Sequence, residues 1–213
     1  MTTSATPPRA RRLAARSAAE AYDGVLSRAD LRALGIDRNM VRREIAEERW
    51  ARHGNQTVAV HTGELSDAAR RWRAVWEVGA RVAAIDGVTA LQHAGLTGFD
   101  DETVHVSVRH TIEVRPVDGV RVHKVIRRVD EEVVSAGIPR TRPAVAAVRA
   151  AHWAVSDRQA ALLLVMPVQQ RLCSGAQLTE AVAGIPGGTA GSSSTWSRTM
   201  SLTGPSRWGS WTS

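Results

Sequence analysis

A chain of 213 residues with 43% hydrophobic content can bury one large core or two small ones, and 28 Lys and Arg against 21 Asp and Glu leave it at +7. That balance, with a pI of about 11.1, points to a polyanionic partner. The lone Cys173 excludes an intramolecular disulfide and a cysteine-based zinc site. It fits a reducing cytoplasm, and Ala161 to Pro167 is too short an apolar run to span a bilayer, so no membrane partner is expected.

Residues 1–8 read as a polar, disordered arm. Arg9 to Tyr22 has helical spacing, with Leu13, Ala14, Ala18 and Ala21 on one face. Ser27 followed by Asp30 resembles a capping box with Asp in place of Glu, and opens a short helix whose apolar side is Leu26, Leu31, Leu34 and Ile36. Gly35 can take the left-handed conformation that ends it. Asp37 caps the next helix, where Met40, Val41 and Ile45 face inward and Arg38, Asn39, Arg42 and Arg43 remain on the exposed first turns. Trp50 to Val60 alternates as two short strands about a turn at His53-Gly54-Asn55. Two helices at a tight corner followed by a hairpin are the parts of a winged helix-turn-helix over 9–62, with double-stranded DNA as its partner.

An α/β domain is expected over 63–156. It begins with a helix at 66–79, with Ala69, Trp72, Val75 and Trp76 on one side. A short buried segment and a helix fill 80–94. Strands follow at Thr103 to Val108 and Val120 to Ile126, with a turn at Pro116-Val-Asp-Gly between them. Pro139 and Pro143 punctuate the entry to a helix at 143–155. A helical segment at 157–183 contains pieces at 157–164 and 175–183. From 184 to 213 the chain is Gly, Ser, Thr and Trp without period, and it reads as disordered. The fold class is therefore α+β: a winged helix, a small α/β domain and a Gly/Ser/Thr-rich tail.

The segment Gly24 to Val60 resembles the N-terminal winged-helix domain of AbiEi-type antitoxins of type IV toxin–antitoxin systems. The resemblance rests on Ser27-Arg-Ala-Asp-Leu, Leu34-Gly-Ile and Arg49-Trp before a strand. Ala90-Leu-Gln-His-Ala-Gly-Leu, Val104-His-Val-Ser-Val, Gly119-Val-Arg-Val-His and Gly137-Ile-Pro-Arg-Thr-Arg-Pro-Ala extend it to an actinobacterial group that carries a C-terminal Vsr-like endonuclease domain. The chain departs from that group at Thr57-Val-Ala-Val, where an aromatic is usual, and at Asp86-Gly-Val-Thr, where Ser-His is usual. The resemblance implies an autoregulatory DNA-binding protein with a cognate toxin. The carboxylate-and-lysine set of the nuclease half is missing from this sequence. A shifted reading of GC-rich codons from near Gly184, with permitted third bases, gives an ending that resembles the opening of that half, so a frameshifted or truncated tail is expected, with an inactive nuclease relative as the rival reading.

Arg38, Asn39, Arg42 and Arg43 are the leading DNA contacts, because the first turns of a recognition helix reach base edges and arginine also binds phosphate. The bland alternative is a solvated basic face neutralised by Glu44, Glu47 and Glu48. Arg28 and Arg32 would touch phosphates, and Arg52 with His53 would sit at the wing tip. His93, His105, His110 and His123 have neither metal spacing nor a convergent carboxylate in sequence, and Asp100-Asp101-Glu102 reads as a solvated loop. Ser27 lacks a nucleophile's surroundings and reads as a cap. The Trp72/Trp76 pair reads as core. No catalytic residue, metal ligand or cofactor is expected, and nothing in the sequence marks a dimer surface.

Overall fold

The computed structural model describes residues 7–184. The tail expected from 184 lies, beyond Gly184, outside the described residues, as do residues 1–6 of the expected arm. The fold is α+β.

The first unit runs α1 (Pro8–Glu20), β1 (Val25–Ser27), α2 (Arg28–Ala33), α3 (Arg38–Ala46), β2 (Ala51–Arg52) and β3 (Thr57–Ala59). Its antiparallel sheet has the order β1-β3-β2, the topology of a winged helix. Local chemistry sets the corner. Ser27 Oγ accepts from Asp30 N at 3.1 Å while the Asp30 carboxylate accepts from Ser27 N at 3.1 Å, completing the capping box. Gly35, at φ 69°, ends α2, and Asp37 Oδ1 takes the Met40 N–H at 2.7 Å to start α3. Leu26, Leu31, Ile36, Met40, Val41, Trp50 and Val58 close a core over these elements.

Two local expectations fail here. Leu26 belongs to β1, a three-residue strand the sequence does not announce, rather than to the helix after it. In α1 the buried residues are Ala15 and Ala19, with Ala18 and Tyr22 packed beside them, whereas Leu13 is 60% exposed. Alanines occupy both sides of this helix, so a single leucine cannot orient it. Two alanines four apart give the close approach, and Tyr22 just beyond the helix fixes its rotation by packing on Trp72 and Trp76 at ring-centroid distances of 4.9 and 5.3 Å.

The second unit contains α4 (Asp67–Gly79), β4 (Ala84–Ile85), α5 (Gly87–His93), β5 (Val104–Arg109) and β6 (Val120–Val125). It continues through β7 (Val133–Val134), β8 (Arg140–Thr141), α6 (Pro143–His152), α7 (Asp157–Gln169) and α8 (Gly175–Gly184). The sheet order is β6-β5-β4-β8-β7. The turn before β6 forms, but β5 and β6 run parallel in register Val104↔Val120, so residues 110–119 must carry the chain back along the sheet. Val106, Val108, Ile85 and Leu91 meet Ala146, Ala147, Ala150 and Ala151 of α6 in one core. Leu163, Leu164, Leu178 and Ala181 join the same cluster, so 157–183 is part of this core. The first of the helical pieces expected there runs on through Pro167 to Gln169.

Between the two cores sits a third cluster, Val25, Ala59, Ala69 and Trp76, flanked by Tyr22, Ala51, Leu65 and Trp72. The tryptophan pair is thus core, as expected, and α4 packs against β1 and β3. Among the described residues no helix is long and apolar enough to cross a membrane.

Candidate nucleic-acid interface

A groove of about 680 Å³ opens between α2, α3 and the turn of the β2–β3 wing. Its floor is Leu31, Ile36 and Val41, and Arg28, Arg32, Arg38, Arg42 and Arg52 stand around it. Arg38 and Arg42, four apart, share the face of α3 that looks into the groove, while Asn39 and Arg43 are exposed on α3 outside it. Among the described residues none of these arginines forms an ion pair. The Arg28 guanidinium is pushed below its ordinary pKa, first by burial and then by the charges of Arg52 and Arg38, although Glu77 works the other way. The groove therefore concentrates cations that repel one another, an arrangement that an anion would relieve.

Of the three glutamates that the bland alternative sets against this face, Glu44 and Glu47 are engaged elsewhere, while Glu48 is exposed. Glu44 is 2% exposed and accepts from Arg49 Nε at 2.6 Å, with Arg12 a further 3.8 Å away. Glu47 also pairs with Arg49. Arg49 is held above its usual pKa chiefly by the Glu44 hydrogen bond.

The wing corrects one expectation. His53 is not a wing-tip contact: its ring is half-buried and its Nε2 has no hydrogen-bond partner. Burial, then Arg73, then His61 hold its pKa below the ordinary histidine value. The cause lies in α4, where Arg73 Nε donates to the His53 carbonyl at 2.6 Å and draws that side of the turn inward. Glu77 completes the hold, accepting from Asn55 N, Gln56 N and Thr57 Oγ1, each at 2.8 Å. Arg52 remains outside, its guanidinium spanning the turn to Gly54 O and Asn55 Oδ1 at 2.7 Å each. Sequence reasoning missed Arg73 and Glu77. The available signal was an unlike-charge pair four apart on the polar side of α4, a helix already anchored by its tryptophans.

Two buried polar systems in the second unit were also missed. Asp101 is not merely solvated: its Oδ2 lies 3.1 Å from His105 Nε2, and His105 Nδ1 lies 3.0 Å from His123 Nε2. Trp153 stacks on His123 at 3.6 Å. Burial first, and then the neighbouring His105 and Arg121, lower the His123 pKa to about 4. Arg149, 5% exposed, bridges Asp86 at 2.8 Å and Glu132 at 2.6 Å. Among the described residues no group of three or more His, Cys, Asp or Glu is arranged to hold a metal ion. Cys173 is buried, its thiol pushed up by burial, and Ser27 spends its hydroxyl in the capping box.

The α+β architecture, winged helix first, sets the class of fold. No family model matches the chain, and no curated protein matches it. Among solved structures it is similar to the crystal structure of the RV2827C protein from Mycobacterium tuberculosis, with a TM-score of 0.52 and 18% identity over 92% of this chain and 76% of that one. At that identity the likeness speaks for the fold alone.

Proposed function

We propose that this chain is a cytoplasmic DNA-binding regulator of the antitoxin type that represses its own promoter, laying α3 in the major groove of double-stranded DNA with the wing against the adjoining backbone. The observation that carries this reading is the groove lined by Arg28, Arg32, Arg38, Arg42 and Arg52, none of them in an ion pair among the described residues. Its position between α3 and the wing is where a winged helix meets a duplex. The resemblance of Gly24 to Val60 to AbiEi-type antitoxins adds a cognate toxin as a second partner. Asn39 and Arg43 lie one residue beyond the groove-facing pair and extend the contact along α3.

The test is fluorescence anisotropy with labelled duplex DNA across a salt series. The affinity should fall steeply with salt, and Arg38→Ala or Arg42→Ala should each weaken binding and lower the log–log salt slope by about one. Unchanged affinity in both variants would remove α3 as the recognition helix.

A further inference from the structure

We infer that Glu77 is a positioning residue for DNA binding: from α4, outside the winged helix, it fixes the wing turn that carries Arg52 to the groove. The inference rests on the DNA-binding reading above. Three donors of the turn, Asn55 N, Gln56 N and Thr57 Oγ1, converge at 2.8 Å on the two oxygens of this one carboxylate. The carboxylate sits directly against the turn. Gly54 has φ +148°, and a Cβ there would collide with the Glu77 carboxylate. Arg73, one helical turn earlier, holds the His53 carbonyl at 2.6 Å and the Asp118 carbonyl, just before β6, at 3.0 Å. Charge-assisted hydrogen bonds to backbone N–H groups are strong and directional, and these join the turn to a helix that Trp76 and Ala69 seat in the shared apolar cluster. Arg52 braces Gly54 O and Asn55 Oδ1 from the strand beside the turn.

Position and charge make opposite predictions for this residue. The Glu77 charge acts on the Arg28 guanidinium against the neighbouring arginines. On charge alone its removal makes the groove more cationic and tightens binding to a polyanion. As a positioning residue its removal frees the wing and weakens binding, because an unfixed arginine must be ordered when the duplex arrives.

The experiment uses the full chain and a fluorescein-labelled duplex of about 30 base pairs, roughly three helical turns. The variants are Glu77→Ala, the isosteric Glu77→Gln, Arg52→Ala and the double variant Arg52→Ala with Glu77→Ala. Thermal melts establish that each is folded, and Glu77→Gln carries the test if Glu77→Ala is not. Glu77→Ala should lose roughly five- to tenfold in affinity, the size of one lost arginine contact. The double variant should be no more than about twofold weaker than Arg52→Ala alone, since the two act through one element. Hydrogen exchange should quicken at Asn55 and Gln56 while α3 stays protected. Unchanged or tighter binding by the folded Glu77 variants, or losses that simply add in the double variant, overturns the inference and leaves the DNA reading standing. Failure of the wild-type chain to bind the duplex at low salt overturns the DNA reading, and this inference with it.

Discussion

Two sites in the molecule handle arginine in opposite ways. Around α3 and the wing, Arg28, Arg32, Arg38, Arg42 and Arg52 crowd one groove whose lining has Asp37 as its carboxylate, and among the described residues none of the five forms an ion pair. In the second unit Arg149 is sunk between Asp86 and Glu132, and Arg128 donates to the carbonyls of Ser107 and Val82 at 2.8 and 2.7 Å. A charge satisfied inside the molecule serves the fold, and one left unsatisfied at a concave surface is available to something outside it. Net charge alone, +7 for the whole chain, does not separate these uses; only the location of the carboxylates does.

The sharpest way to break this contrast is to empty the buried site. Arg149→Met leaves Asp86, 0% exposed, without its counter-charge, and urea denaturation should show a loss of about 3–5 kcal/mol. Stability unchanged by that substitution would mean the buried pair is not serving the fold.

A smaller effect is expected on acidification. His123 has a folded pKa of about 4 against 6.5 for an ordinary histidine. Burial first, then the neighbouring His105 and Arg121, favour the neutral ring in the folded state, where it lies hydrogen-bonded to His105 and stacked on Trp153. A depressed folded pKa contributes stability that is complete above 6.5 and is lost as the pH falls toward 4. His105, His93 and His53 shift in the same direction, mainly through burial. Melting temperature should therefore decline over that window, and His123→Phe should flatten the decline. Identical pH profiles for the two proteins would sink this account.

The smallest effects belong to the exposed side of the contrast. Arg42→Ala and Leu13→Ala should each leave stability within about 0.5 kcal/mol in the same urea assay. Only the first should alter DNA affinity. A large stability loss from Arg42→Ala would show that its charge is not free for a partner.

What could be read from the sequence was whatever depends on neighbours three or four residues away. The caps at Ser27 and Asp37, the left-handed Gly35 and the apolar side of α4 are of that kind. Strand β1 escaped because three residues between a glycine turn and a cap have no visible period. The parallel pairing of β5 with β6 escaped because alternation marks a strand and says nothing of its direction. In the candidate interface the arginines were legible as residue types, and their spacing placed Arg38 and Arg42 together. Where His53 points was not legible, since Arg73 lies 20 residues away in sequence. The fate of Glu44 was not legible for a related reason: a glutamate on a basic helix looks like a surface partner until Arg49 and Arg12 fold back over it.

The cluster of Val25, Ala59, Ala69 and Trp76 bears on how such a molecule can be taken apart. A fragment ending at residue 62 would strip the backs of β1 and β3 of the aromatic lid that α4 provides. Expressed by itself, that half would present a greasy wall to its surroundings and self-associate. Evolutionary shuffling of the winged-helix half onto other proteins would then have to carry α4 along, or recruit a substitute helix to shield the same wall.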